Sequence, residues 1–162
     1  MTTDRPYAVI DIDGVIADVR HRLHFLESKP KDWDSFFAAM AGDALLPEGR
    51  AVVERLAVDH ELVYLTGRPQ NTRGLTQAWL EEHGLPRARL IMRSARDRRP
   101  ARQTKPALLR DLTADGHRVG VVVDDDPQVC DALERAGWPV LRADWMTREH
   151  ALEHAQEDAG RT

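Results

Sequence analysis

Three short apolar runs each deliver polar groups at their ends. Tyr7-Ala8-Val9-Ile10 leads into Asp11-Ile12-Asp13-Gly14, Glu61-Leu62-Val63-Tyr64-Leu65 into Thr66-Gly67-Arg68, and Val119-Gly120-Val121-Val122-Val123 into Asp124-Asp125-Asp126. Five carboxylates gathered on one rim would repel each other unless a cation sat among them. Hard oxygen ligands with open positions select Mg²⁺, which keeps waters and accepts phosphate oxygens. The Asp-x-Asp spacing has its own logic. Alternate residues of a strand share a face, so Asp11 and Asp13 can flank one reacting group just past a strand end. One carboxylate can attack while the other carries protons. Gly14 permits a sharp turn and close substrate approach.

These groups converge only if the elements behind them are parallel neighbours. The apolar runs at 7–12, 61–66, 89–92, 119–123 and 139–141 are near-continuous and rich in β-branched residues, as suits parallel strands covered on both faces. Helical periodicity lies between them: Pro47 to Val58, Asn71 to Glu82 with Asn71 as cap, Lys105 to Ala114, and Pro127 to Ala136 with Gly137 as its stop. This alternation predicts an α/β fold: a three-layer, doubly wound sandwich on a mainly parallel sheet, with right-handed crossovers. Residues 18–46 break the rhythm and read as a small helical insertion after strand 1. Residues 147–158 read as a last exposed helix or a frayed end. The whole of 1–162 is expected to be a single domain.

Composition sets outer bounds. The 162 residues include 42% hydrophobic and 31% charged, ordinary for a globular protein with its own core. The net charge of −4 does not mark a general polyanion binder. Charge is uneven, however: residues 87–102 hold seven Arg against Asp97, and residues 144–162 hold five acids against two Arg. One cysteine, Cys130, excludes an internal disulfide framework and a Cys-rich zinc site. The sequence offers no bilayer-length apolar run and no secretory signal, which predicts a cytoplasmic location and no membrane partner.

The ordered motifs Val9-Ile10-Asp11-Ile12-Asp13-Gly14, Leu65-Thr66-Gly67-Arg68, Lys105 and Val123-Asp124-Asp125 resemble those of the haloacid dehalogenase-like (HAD) phosphohydrolases. Ala132 to Val140 extends the likeness through the next helix and strand. The resemblance implies that Asp11 is the nucleophile, forming an aspartyl-phosphate, and that Asp13 protonates the leaving oxygen and then activates water. It implies that Thr66 holds a phosphoryl oxygen, that Lys105 balances charge, and that Asp124 and Asp125 complete a Mg²⁺ shell beside the Asp11 carboxylate and the Asp13 backbone carbonyl. These are the parts that phosphoryl transfer needs. An acid at position 13 favours phosphatase over dehalogenase chemistry.

A narrower resemblance joins Lys31-Asp32-Trp33-Asp34, Thr66-Gly67-Arg68, the stretch from Met92 to Lys105, and Asp124-Asp125 with Gln128-Val129. It is to the 3′-phosphatase module of polynucleotide kinase-phosphatases. It implies that Arg22, eleven residues past Asp11, contacts phosphate together with Gly67 and Arg68, and that the partners are phosphorylated nucleic-acid 3′ ends. Asp126 and Ala101 depart from that module's pattern. No Gly-x-x-x-x-Gly-Lys-Ser/Thr loop occurs, so a fused kinase activity is excluded. The runner-up substrate is a small phosphorylated metabolite or nucleotide. A catalytically silent binding module is the reading from another class.

Plainer roles compete for several residues. Asp126 is expected to cap the helix at Pro127 rather than bind metal. Trp33, Phe36 and Phe37 are expected to pack the insertion rather than stack a base. Most arginines of 87–102 are expected to be solvated. The seven histidines form no metal-ligand spacing. With only a short insertion as cap, the site is expected to be open.

Overall fold

The computed structural model describes residues 4–162. In chain order the elements are β1 (Tyr7–Ile10), β2 (Ala17–Asp18), α1 (Trp33–Ala38), β3 (Ala44–Leu45), α2 (Pro47–Leu56), β4 (Glu61–Pro69), α3 (Arg73–Glu82), β5 (Arg89–Arg93), α4 (Ala101–Leu112), β6 (Val119–Asp124), α5 (Pro127–Arg135), β7 (Val140–Arg142) and α6 (His150–Glu153). Five strands form one sheet in the order β5-β4-β1-β6-β7, every pair parallel. The chain winds outward from β1 through β4 to β5, then returns to the other side for β6 and β7. Such a reversal opens a crevice beyond the strand ends, where ligands bind.

Strand alternation divides the core. Ala8 and Ile10 of β1, with Leu62 and Tyr64 of β4, pack under Val53 of α2 and Trp79 of α3. Tyr7 and Val9, with Val63 and Leu65, pack under Leu109 and Leu112 of α4 and Val129 and Leu133 of α5. Both faces of the sheet are therefore covered, which is why its strands lack a polar side.

Residues 18–46 rise from a two-stranded antiparallel ribbon of β2 and β3. Between them lie a 3₁₀ turn at Arg20–Leu26, α1, and a second 3₁₀ turn at Ala39–Gly42. Asp32 starts α1 by accepting a hydrogen bond from the Ser35 N–H at 3.0 Å. Asp126 caps α5 in the same way, with Gln128 N as donor at 2.9 Å.

Several boundaries differ from the sequence expectation. β1 ends at Ile10, because the Ile12 carbonyl accepts from the N–H groups of Val15, Ile16 and Ala17 and curls the chain out of the sheet. α3 starts at Arg73 after a 3₁₀ turn, and Asn71 does not cap it. α4 starts at Ala101, so Lys105 stands in its second turn. The tail is not an exposed helix. α6 is short, a π-turn follows at His154–Asp158, and Leu152, Ala155, Gln156, Glu157 and Thr162 are buried. Among the described residues no helix is long and apolar enough to cross a membrane.

Candidate active site

Every polar residue singled out at a strand end is buried on the same rim. Register explains this. Ile10 lies opposite Tyr64 of β4 and Val123 of β6, so the residues just past these positions emerge side by side. Asp11, Asp124 and Asp125 offer carboxylate oxygens that all lie within 4.8 Å of one another. Lys105 reaches them from α4, its Nζ 3.0 Å from Asp11 Oδ2 and 2.5 Å from Asp124 Oδ2. Gly14, at φ +80°, turns the chain beneath this group. A Cβ there would collide with the Asp125 carboxylate, so position 14 needs glycine for space as well as for backbone angle.

Burial pushes the Asp11 carboxyl well above its usual range; Lys105 opposes this, and Asp124, Asp125 and Asp13 reinforce it. Burial likewise raises Asp124, and burial with the Asp124 charge raises Asp125 to about 7. The same acids outweigh burial at Lys105 and hold its ammonium protonated, well above its ordinary value. Asp125 Oδ1 is buried and makes no hydrogen bond, and Asp11 Oδ2 is buried with only the Lys105 ammonium beside it. Three buried carboxylates, with Asp125 Oδ1 unpartnered among them, fit a hard dication.

The Asp13 carboxylate is held by a different set of partners. Arg68 donates to its Oδ1 from Nε at 2.9 Å and from Nη2 at 2.6 Å, and Arg22 Nη2 stands 3.3 Å from the same oxygen. Burial alone would raise Asp13, but these two guanidinium groups hold it far below the usual carboxylate range. Both arginines are fully buried. They are also tied to Asp43: Arg22 Nε donates to Oδ1 at 2.8 Å, and Arg22 Nη2 and Arg68 Nη2 each donate to Oδ2 at 3.0 Å. Arg22 further stacks over the Phe36 ring at 4.3 Å, which gives the insertion a part in holding it. Thr66 is buried, its Oγ1 accepting from the Arg68 N–H at 3.1 Å. The Gly67 carbonyl accepts from Arg93 Nε at 3.0 Å.

Asp43, Arg148 and Thr162 escaped the sequence reading. Arg148 Nη1 donates to Asp125 Oδ2 at 2.8 Å, and Thr162 Oγ1 donates to Asp13 Oδ2 at 2.5 Å. Asp43 and Arg148 lie in irregular segments with no motif spacing to mark them. Arg93 is the exception in a run whose arginines at 87, 89, 96, 98 and 99 are exposed, as expected of most of them. It is buried, and its Nη1 donates to the Arg99 carbonyl at 2.6 Å, pinning the loop before α4. Arg102 pairs with Glu157 at 2.6 Å and is half-exposed. Thr162 corrects the expectation of an open site, because residues 159–162 lie across the rim.

Residues 6–145 match the family model of the polynucleotide kinase PNKP phosphatase domain. No curated protein sequence matches the chain. Two solved structures of a Pnkp1/Rnl/Hen1 complex, one described as an RNA repair complex, superpose with TM-scores of 0.66 and 0.73 at 21% and 23% identity. They cover 91% and 90% of this chain, which spans 45% and 48% of theirs. A HAD-family enzyme from Bacteroides thetaiotaomicron, solved with magnesium and inorganic phosphate, superposes at TM-score 0.56 and 12% identity, covering 91% of this chain and 98% of its own. At these identities the likeness speaks for the fold alone.

Proposed function

The chain belongs to the phosphatase-domain family of polynucleotide kinase PNKP, within the HAD phosphatases that use Mg²⁺, and from that premise we propose that it removes 3′-phosphate from polynucleotide ends through an aspartyl-phosphate on Asp11. The observation that carries this reading is the split rim: Asp11 with Asp124, Asp125 and Lys105 on one side, and Asp13 with Arg22 and Arg68 on the other. The chain, 1–162, acts as one catalytic unit, with residues 18–46 as a short cap.

Asp11, Asp124 and Asp125 are the residues that would hold the ion, together with the Asp13 backbone carbonyl. Bound there, Mg²⁺ would supply positive charge to the carboxylates and the phosphoryl oxygens. Asp11 attacks phosphorus as the bond to the leaving oxygen breaks. Asp13, ionised in the free chain, first takes the proton that the phosphate monoester monoanion brings and gives it to that oxygen, then takes one from the water that hydrolyses the acyl-phosphate bond, leaving Asp11 as it began. Thr66 and the Gly67 N–H hold phosphoryl oxygens, while Arg22, Arg68 and Lys105 neutralise phosphate charge without moving far. A polynucleotide end is favoured over a small metabolite by the family match and by the arginine pair behind Asp13, whose planar forks suit phosphate recognition.

The test compares phosphate release from a 3′-phosphorylated oligonucleotide, a 5′-phosphorylated oligonucleotide and a mononucleotide, with Mg²⁺ and with chelator. Release from the first alone, lost with chelator and in Asp11→Asn, is expected. Equal rates on all three would remove the polynucleotide substrate.

A further inference from the structure

The segment after the π-turn lies against Asp13, the residue to which the leaving oxygen is assigned above. Thr162 is buried, and its hydroxyl donates to Asp13 Oδ2 at 2.5 Å. Its main chain presses on Gly67 so closely that any Cβ at position 67 would collide with the Thr162 carbonyl group. Gly160, at φ +60°, passes the carbonyls of Arg98 and Arg99 with no room for a side chain. Arg161 lays its guanidinium 4.7 Å over the Trp33 ring and 5.6 Å from that of Phe37, a cation–π contact between tail and insertion.

The root of this strap is fixed independently of its tip. Leu152 and Ala155 are in the core, Glu157 pairs with Arg102, and Gln156 accepts from Arg148 Nη2 at 2.9 Å. Only residues 159–162 therefore need to move for the rim to open.

Thr162 presents a secondary alcohol to the carboxylate assigned to the leaving oxygen. The alcohol left when a 3′-phosphate is removed from a sugar is also secondary. We propose that Gly160–Thr162 is an internal product mimic, an autoinhibitory strap that excludes the phosphate ester until it is displaced. This rests on the role given above to Asp13, though not on the choice of a polynucleotide as substrate.

A strap of this kind makes a prediction that a structural tail does not. A closed form unable to bind substrate lowers apparent affinity by the open fraction, whatever the ester. Loosening it therefore lowers KM by one common factor for all substrates and leaves kcat unchanged. The experiment measures kcat and KM of the Mg²⁺-loaded enzyme on 4-nitrophenyl phosphate and on a 3′-phosphorylated oligonucleotide. In Thr162→Val, KM for both is expected to fall about tenfold, the scale of a lost hydrogen bond to a charged group. Thr162→Ser keeps the hydroxyl and is expected to behave as the unaltered protein, and Arg161→Ala to lower KM in the same direction. Unchanged or raised KM for the aryl phosphate in both Thr162→Val and Arg161→Ala overturns the strap, as does a fall in kcat. Failure of the polynucleotide reading looks different: no form turns over the oligonucleotide, and the aryl phosphate comparison still decides.

Discussion

Asp13 and Asp43 share two buried guanidinium groups, whereas Asp11, Asp124 and Asp125 share only the Lys105 ammonium and the Arg148 guanidinium. The two sets of acids stand side by side and are equally buried, so burial does not separate them. Compensation does. In the arginine-held pair every contact is a charge-assisted hydrogen bond, and Asp13 stays ionised against its burial. In the other set one ammonium serves two carboxylates, Asp125 Oδ1 makes no hydrogen bond, and all three carboxyls are pushed up. One side of the rim is finished by the chain itself; the other is left with the charge balance that the proposed cation would complete.

The sharpest break between them is chemical. Asp11→Asn removes the proposed nucleophile and is expected to lower phosphate release by about 10⁴-fold or more. Asp13→Asn removes the proton carrier, for which about 10²–10⁴-fold is expected. Measured kcat on 4-nitrophenyl phosphate ranks the two. A smaller loss in Asp11→Asn than in Asp13→Asn would exchange their roles.

Removing Arg68 attacks the finished side. Its guanidinium is wholly buried and contacts Asp13, Asp43 and Thr76, so Arg68→Ala leaves two interior acids with one arginine. Breaking a buried ion pair from one partner costs about 3–5 kcal/mol. The melting midpoint is expected to drop by about 6–20 °C, at about 2–4 °C per kcal/mol for a chain of this size. Turnover is expected to fall with it. A midpoint equal to that of the unaltered protein would mean that the acids on this side do not need the pair.

How far this rim can be read from sequence follows the same division. Asp11, Thr66 and Asp124 were legible because each ends an apolar run, and a parallel sheet must bring such ends together. The alternation of strands and helices was legible because burial on both faces writes itself as unbroken apolar runs. Arg22 was reached only through the family resemblance, whereas Arg68 also stands at the end of an apolar run. Asp43 was not legible at all. It sits at the foot of the insertion, in no periodic element, and becomes important only when that insertion folds back onto the sheet. Arg148 and Thr162 depend likewise on where an irregular tail goes, and no local spacing encodes that path. Lys105 was found by motif, yet its helix was begun four residues late, since Pro106 resembles a helix start and is instead interior to α4.

Mg²⁺ and pH together separate the two sides without mutation. Asp125 is raised to about 7 in the folded chain, against about 4 for an unperturbed carboxyl. The fold therefore binds a proton there that the unfolded chain has released. Its stabilising contribution is fully present below about pH 4 and is lost as pH rises through 7. Asp13 has the opposite sign. Its folded value is depressed, so its contribution is present above about pH 4 and is lost as pH falls below it. Without metal, the melting midpoint is expected to fall between pH 5 and 8. With Mg²⁺ in the proton's place that decline is expected to flatten, the metal adding about 2.7 kcal/mol at a hundredfold excess over Kd. A Mg²⁺ effect as large at pH 5 as at pH 8 would place the ion away from Asp125.

The smallest effect is expected in the arginine-rich loop, where two neighbours differ as the two sets of acids do. Arg93 is buried, and it ties Gly67 to the loop through Nε and Nη1. Arg99 is exposed and pairs with Asp97 two residues away, donating from Nη2 at 2.8 Å. Such a local surface pair is screened by water and salt, and its loss leaves no charge in the interior. Arg99→Ala is therefore expected to leave both the melting midpoint and kcat/KM for a 3′-phosphorylated oligonucleotide unchanged, while Arg22→Ala lowers both. If Arg99→Ala weakens turnover more than Arg22→Ala does, the phosphate is held in the loop and not beside Asp13, and the finished side of the rim is only scaffolding.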